Sequence, residues 1–262
     1  QSFHDLGSRI VKFWSAPRRL DFAAEMGVDR RELMLDGAWQ IRAMELASSL
    51  DMIFMTHVGD PDTWFQTKYT DASIYGTKAD QYLPLERLLD RFTQPWIAAH
   101  MGGWPEDPDF LDGMLSRHDN LLLDTSATKW MVRELSRHSR ERMIEFLERW
   151  NGRILFGSDI VAMDAHLSSD TGPRGMGAQA ASEREAFDLY ASRYWALRHL
   201  WETEYDGESP IADPDLAMVD PASHDEMSAP RLRGKRIPAA LLKTLYHDAP
   251  AAILERARRG SR

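Results

Sequence analysis

The sequence predicts an α/β fold built around a parallel sheet. Short apolar runs alternate with amphipathic helical segments over the first part of the chain, and this alternation is typical of βαβ units. Apolar runs of about four to eight residues without polar alternation are expected for parallel strands that are covered on both faces. We predict five such strands, at residues 9–14, 51–57, 95–100, 120–124 and 153–158.

The segments between these strands carry helical signals. Pro84 stands in the first turn of a helix predicted at residues 83–92, where a missing N–H is tolerated. Asp36 is a candidate N-cap for the helix that precedes the second strand. Further helices are predicted at residues 109–117, 182–204, 238–246 and 250–258, and one or two helices at residues 129–150. Polar segments are predicted to be loops, at residues 15–34, 64–79, 161–180 and 206–236.

The character of the chain changes after the fifth predicted strand. Regular strand and helix alternation stops, and Gly-, Ser-, Pro- and Asp-rich stretches surround one long helical segment. We therefore predict a sheet-bearing unit at residues 1–160 that holds the candidate site. Residues 161–262 are expected to form a loop and helical extension that packs on it. A Gly-rich run at residues 172–177 is interpreted as a flexible lid, because no strand precedes it and no Lys-Ser or Lys-Thr follows it.

The amino-acid composition limits the classes of function that this protein can have. The 262 residues are 43% hydrophobic and 28% charged, as in ordinary globular proteins, and no apolar stretch approaches the roughly 18 residues of a membrane span. The net charge of −9 disfavours nucleic acid as a partner. Cysteine is absent, which excludes disulfides, thiolate ligands and a cysteine nucleophile and is compatible with a cytoplasmic location. We expect a small-molecule substrate, no nucleic-acid or membrane partner, and possible assembly into a homo-oligomer.

Three tripeptides at the ends of predicted strands carry the side chains best suited to chemistry: Thr56-His57-Val58, Ala99-His100-Met101 and Ser158-Asp159-Ile160. The carboxyl ends of parallel strands share one edge of a sheet, where the active sites of α/β barrels lie. Neutral imidazole is a good Zn²⁺ ligand. Singly, each residue has an ordinary alternative, either a satisfied loop histidine or a helix N-cap. Together they predict part of a metal centre.

Four segments resemble the amidohydrolase-related branch of the metal-dependent amidohydrolase superfamily. They are Ile53–Gly59, Trp96–Gly103, Asn120–Ser126 and Ile154–Asp159, and Tyr246–Ala249 is similar to the closing helix of that family. The His-Gly-Gly and Phe-Gly-Ser-Asp motifs in this order carry most of the specificity. The resemblance implies a (β/α)₈ TIM barrel, of which the five predicted strands would be strands four to eight, followed by C-terminal helices.

The resemblance also implies residue roles. His57 would be a ligand of a divalent metal, with zinc the expected ion, and His100 a second ligand or a catalytic acid/base. Asp159 would bind the metal or its water and act as general base. The implied reaction is metal-dependent hydrolysis of a C–N or C–O bond. The same branch contains nonoxidative decarboxylases of aromatic acids, so that alternative stays open.

One feature of the family is missing. Its members supply two further metal ligands from a His-x-His at the end of strand one, and the sequence contains no His-x-His. Strands one to three have no counterpart either. We therefore expect the chain to be a fragment of a longer hydrolase, with a degenerate, non-catalytic barrel remnant as the alternative.

Substrate contacts are predicted in the loops that follow the strands. Arg18 and Arg19 are candidates for clamping a carboxylate, and Trp64 and Trp104 for stacking on a planar substrate. Solvated loop arginines and tryptophans that close the edge of a core are the alternatives. Asp164 and His166 are expected near the mouth of the site.

Overall fold

The computed structural model describes residues 1–160, 167 and 180–259. The chain divides into two compact units. The first consists of Gln1–Thr125, Ile144–Phe156 and Pro238–Arg262, and the second of Ser126–Met143 and Gly157–Ile237. The lid predicted at residues 172–177, Asp164 and His166 lie outside the described residues.

A five-stranded parallel sheet forms the centre of the first unit. Its strands follow the sequence order β1-β2-β3-β4-β5. They are β1 Ile10–Ser15, β2 Ile53–Val58, β3 Trp96–Ala98, β4 Leu121–Asp124 and β5 Ile154–Leu155. The predicted α/β class and all five predicted strands are confirmed, although β3 and β5 are shorter than predicted. The sheet is compatible with part of an α/β barrel.

Apolar side chains cover both faces of this sheet. On one face, alternate strand residues pack with the last helix of the chain in a cluster of Ile53, Ile97, Leu122, Leu155, Ala249 and Ala257. Phe54 follows Ile53 and therefore points to the opposite face. There its ring lies edge-on to Trp96, Phe92 and Phe13, with ring centroids 4.8, 5.6 and 5.9 Å apart. Burial on both faces explains why β3 to β5 consist almost entirely of apolar residues, whereas β1 has the exposed residues Lys12 and Trp14.

Helices precede, connect and follow the strands of the first unit. They lie at Ser2–Asp5, Arg19–Met26, Ala38–Ser49, Asp62–Thr67, Ala72–Tyr75, Leu83–Arg91, Pro108–Arg117, Ala239–Lys243 and Ala249–Arg259. Single 3₁₀ turns occur at Arg30–Leu33 and Ala79–Tyr82, and a π-helical turn at Thr244–Asp248. The helix Arg140–Arg149 includes residues of both units. No helix in the described part of the chain combines the length and the apolar character needed to cross a bilayer.

The helix-start signals were partly right. Pro84 lies in the first turn of the helix Leu83–Arg91, as predicted. Asp107 accepts a hydrogen bond from the Phe110 N–H at 3.0 Å and caps the helix Pro108–Arg117. The prediction that Asp36 is an N-cap is wrong, because Gly37 occupies that position. A Cβ on Gly37 would lie 2.7 to 2.9 Å from three backbone carbonyl oxygens, so only glycine fits this close approach. Asp36 instead accepts hydrogen bonds from Arg87.

Three of the predicted loops contain regular structure. Residues 15–34 include the helix Arg19–Met26, which ends at Gly27 with φ +65°. Residues 64–79 include the helix Ala72–Tyr75. Residues 206–236 contain an antiparallel pair of strands, β6 Asp206–Glu208 and β7 Arg231–Arg233, and the helix Asp215–Val219. These elements are too short and too polar to produce a hydrophobic period, so the sequence gives no signal for them.

The second unit has its own core. Its helices are Thr128–Leu135, Glu183–Glu202 and Asp215–Val219. Val132, Ala196, Ile211 and Leu232 form a buried apolar cluster. Lys235 is only 2% exposed, and its ammonium group donates to the carbonyl oxygens of Ser136 and His138 at 3.4 and 2.7 Å. These oxygens lie just past a helix end, where cations are favoured. Burial nevertheless lowers the pKa of Lys235 to about 8.

The lowered pKa of Lys235 predicts that stability rises with pH in the alkaline range. Above about pH 8 the unfolded chain retains the lysine proton that the folded chain has lost, so folding is favoured as pH increases. We expect a gain of about 1–3 kcal/mol in the free energy of unfolding between about pH 7.5 and about pH 9.5. In Lys235→Met this gain should disappear. The measurement is urea unfolding followed by tryptophan fluorescence.

The control for this experiment is Lys243→Met, which removes an exposed lysine that pairs with Asp248. This variant should keep the alkaline gain. A Lys235→Met chain with the same pH dependence as the wild type would contradict the assignment.

Candidate functional site

Two imidazoles meet at the carboxyl ends of neighbouring strands. His57 lies in β2, and His100 follows β3, which pairs with β2 in parallel register. The ring centroids are 5.0 Å apart, with an angle of 68° between the ring planes. His100 is buried and the His57 side chain is 15% exposed. The structure therefore places two nitrogen-donor side chains side by side at the edge of the sheet.

His57 is held by a buried hydrogen-bond network. Its Nε2 lies 3.1 Å from Asp60 Oδ1, and the Tyr69 hydroxyl donates to Asp60 Oδ2 at 2.9 Å. Asp60 and Tyr69 are both 5% exposed. Burial, reinforced by the charge of Asp60, raises the pKa of the Tyr69 hydroxyl, so this group stays protonated and continues to donate. The sequence analysis did not single out Asp60 or Tyr69.

His100 begins a left-handed turn. His100, Met101, Gly102 and Gly103 have φ values of +61°, +49°, +62° and +80°. For residues with a side chain this conformation costs about 1–2 kcal/mol each, and such strain is often found at functional sites. The His100 N–H donates to Asp124 Oδ1 at the end of β4 at 2.9 Å. The turn ends β3 at Ala98, two residues before the predicted end.

Gly103 lets this turn approach the backbone of β2. A Cβ at Gly103 would lie 1.8 Å from the carbonyl oxygen of Val58. Val58 follows His57 directly, so the contact joins the His100 turn to the end of the strand that carries His57. Gly102 and Gly103 are the two glycines of the His-Gly-Gly motif. The structure shows the sharp turn, and the group approached is protein backbone.

Trp14 is a further neighbour of His57 that the sequence analysis missed. The β1–β2 register aligns Trp14 with His57, and the two rings are nearly parallel with centroids 6.0 Å apart. Trp14 is 41% exposed, which is high for so large an apolar side chain, and it lies in β1 at the end of the strand order. In the sequence, the signal for Trp14 was its position at the end of a predicted strand, which the observed register aligns with His57. This exposed ring offers a flat surface beside the two histidines.

The two candidate arginines have different surroundings. Arg19 is buried, lies in a helix rather than a loop, and donates to the carbonyl oxygen of Ala16 and to Gln81 Oε1. Burial lowers the pKa of its guanidinium. Arg18 is exposed, and its guanidinium lies 5.1 Å from the centroid of the Phe22 ring, which in turn contacts Trp14. Arg18 is thus the arginine that has its charge at the surface, and the rings of Phe22 and Trp14 link it to His57.

The two candidate tryptophans pack against protein groups. The Lys68 ammonium lies 3.4 Å from the centroid of the Trp64 ring. Trp104 stacks on Tyr82 with ring centroids 5.5 Å apart and also contacts Phe110. Both tryptophans are partly exposed, so the substrate-stacking role predicted for them stays a prediction.

Asp159 is exposed and belongs to the second unit, whereas both histidines belong to the first. Its φ of +52° places it in the left-handed region. Across residues 1–160, 167 and 180–259, no group of three or more histidine, cysteine or acidic side chains is arranged to hold a metal ion. The metal-ligand roles of His57, His100 and Asp159 therefore stay predictions from the sequence.

Comparison with known proteins gives no relative. No protein-family model matches the chain, and no curated protein or solved structure is significantly similar to it. The resemblance of the four segments to the amidohydrolase-related branch rests on the sequence motifs alone.

Because the backbone at His100 is left-handed, a glycine variant should be more stable than an alanine variant there, which is the reverse of the usual order in a helix. Glycine adopts positive φ without steric cost, so His100→Gly should be more stable than His100→Ala by about 1 kcal/mol. Both variants lose the imidazole, and their difference isolates the backbone. The measurement is the free energy of urea unfolding. Ala43→Gly, in the helix Ala38–Ser49, is the control and should show the usual order, with glycine destabilising by about 1 kcal/mol.

The close approach at Gly103 predicts a large effect of one methyl group. Gly103→Ala should lower the free energy of unfolding by more than about 3 kcal/mol, because the Val58 carbonyl cannot move without disrupting β2. Gly27→Ala is the matched control, since Gly27 also has positive φ but open space around it. It should lose only about 1 kcal/mol. Equal losses in thermal or urea unfolding would contradict the contact.

Proposed function

We propose that this protein is a metal-dependent hydrolase of the amidohydrolase type, with His57 and His100 in its metal centre. The observation that carries the proposal is the pair of imidazoles, with centroids 5.0 Å apart, at the ends of adjacent parallel strands. The carboxyl edge of a parallel sheet is where α/β enzymes place their active sites. The motif resemblance supplies the reaction class.

The donor set fits part of a zinc shell. Neutral imidazole nitrogens suit Zn²⁺, and a catalytic zinc usually has three protein ligands, so the pair would provide two of them. The hydrogen bond from the His57 ring to Asp60 is the arrangement that metal-binding histidines usually show. A bound divalent cation would act as a Lewis acid and make hydroxide available from water near neutral pH.

The side chains of the chain itself would bind substrate and move protons. In the alternative in which His100 is not a metal ligand, its ring would donate to the oxyanion that develops on the substrate. The motif resemblance implies that Asp159 is the general base, which would take the proton of the attacking water and pass it to the leaving nitrogen or oxygen. Water is thereby added across a C–N or C–O bond. The exposed ring of Trp14 can hold a planar part of a small substrate.

Nonoxidative decarboxylation of an aromatic acid is the second candidate. It is favoured by the exposed Trp14 ring beside His57 and by the surface guanidinium of Arg18 over the adjacent Phe22. These groups suit a flat anion. Mass analysis of products formed in H₂¹⁸O distinguishes the reactions. Hydrolysis leaves one ¹⁸O in a product, whereas decarboxylation releases CO₂ and leaves none in the aromatic product.

Zinc binding tests the proposed centre directly. The chain, freed of metal by chelation, should bind about one Zn²⁺ in isothermal titration. His57→Ala and His100→Ala should each weaken binding by at least about 10- to 100-fold. The control is His224→Ala, which removes an exposed histidine of the second unit and should bind as the wild type does. A wild-type chain that binds no zinc would contradict the proposal and favour the non-catalytic remnant.

Asp159→Asn tests the assigned base. In a screen of small amides, esters and aromatic carboxylates, the substitution should lower kcat by about 10²- to 10⁴-fold while zinc still binds. Full activity of this variant would exclude Asp159 as the general base.

A further inference from the structure

Asp60 is a buried acid with both carboxylate oxygens in use. One oxygen lies 3.1 Å from His57 Nε2, and the other accepts the Tyr69 hydroxyl at 2.9 Å. Gly59, with φ +68°, turns the chain immediately after β2. This turn brings the carboxylate back onto the histidine three residues earlier.

The chemistry of this contact fixes where the His57 proton resides. A neutral imidazole has one N–H and one lone pair, and an ionised carboxylate can only accept hydrogen bonds. The nitrogen that faces Asp60, Nε2, must therefore carry the hydrogen. The lone pair is then on Nδ1, and no side chain or backbone group within the described ranges forms a hydrogen bond to that atom.

Tyr69 fixes the orientation of the carboxylate. Its hydroxyl is buried, its pKa is raised, and it donates to the Asp60 oxygen that His57 does not use. The carboxylate can therefore not rotate away from His57 without breaking a buried hydrogen bond, which is unfavourable. The Trp14 ring also packs against the imidazole.

We infer that Asp60, held by Tyr69, is a positioning residue that keeps His57 in the tautomer with hydrogen on Nε2 and presents the Nδ1 lone pair as the ligand-binding atom. That the ligand is a divalent cation rests on the proposed function. The tautomer itself is a property of the chain alone and can be measured without metal.

Replacement of Asp60 by asparagine should invert this tautomer. In Asp60→Asn the amide oxygen accepts from Tyr69, because the hydroxyl proton has no other acceptor among the described groups around it. The amide NH₂ then faces His57 Nε2 and requires a lone pair there, so the hydrogen moves to Nδ1. In the double variant Asp60→Asn/Tyr69→Phe the amide is free to turn its oxygen toward His57, which should restore the original tautomer.

The experiment is ¹⁵N NMR of histidine-labelled, zinc-free chain at about pH 8.5, where imidazoles in general are neutral. The His57 signals are assigned by their loss in His57→Gln. We expect the Nε2–H form in the wild type, the Nδ1–H form in Asp60→Asn and the Nε2–H form again in the double variant. Asp71→Asn, an exposed acid that accepts from Ser73, should leave the tautomer unchanged. The Nδ1–H form in the wild type would overturn the inference, even if Asp60→Asn failed to fold.

Zinc titration of the same variants separates this inference from the proposed function. Asp60→Asn should bind zinc about 10- to 100-fold more weakly than the wild type, and the double variant should recover much of the loss. Equal zinc affinity of the wild type and Asp60→Asn would overturn the positioning role and leave the proposed function standing. The expected tautomers in a wild-type chain that binds no zinc would support the positioning role and overturn the proposed function.

Discussion

Burial of the parallel sheet on both faces is the constraint on which the rest of the structure depends. A strand covered on both sides has no room for unpaired polar side chains, so β3 consists entirely of buried apolar residues. In β2 to β5 the polar side chains, Thr56, His57 and Asp124, lie in the carboxyl-terminal half of their strands, whereas β1, at the end of the strand order, carries the exposed Lys12 near its centre. His57 at the end of β2 and His100 just after β3 lie at the carboxyl ends of their strands. The same packing that makes the core therefore brings the two imidazoles together.

Unusual backbone conformations follow three of the strands along the chain. His100 after β3, Ala127 after β4 and Asp159 after β5 all have positive φ, although none is glycine. Such conformations cost free energy and persist only where surrounding structure enforces them. At His100 the enforcing contacts are identified, since its N–H is bound by Asp124 and its turn is packed against β2. At these positions the strained backbone lowers the stability of the fold, and it fixes the direction in which the side chain points.

The sequence was sufficient for the sheet but not for most of the site. Apolar runs identified β2 to β5 because burial leaves a strong compositional signal, whereas β1 was predicted as a strand although Lys12 interrupts its apolar residues. The Arg19–Met26 helix and the β6–β7 pair gave no such signal, since they are short and polar. Asp60 could not be predicted from the sequence, for a different reason. Its role depends on the turn at Gly59 and on Tyr69, and side-chain contacts of this kind are not encoded in any hydrophobic period.

The two histidines are held in place by different physical means. A side-chain network controls His57, where Asp60 determines which nitrogen carries the hydrogen. Backbone conformation controls His100, where a left-handed turn and a hydrogen bond to Asp124 direct the residue. A substitution in the hydrogen-bond network at His57 need not disturb the left-handed turn at His100, because the two involve different atoms and different interactions. Gly103 links them, since its contact with Val58 joins the His100 turn to the residue after His57. The spacing of the imidazoles thus depends on this backbone contact, whereas their chemistry depends on the groups that hydrogen-bond to each one.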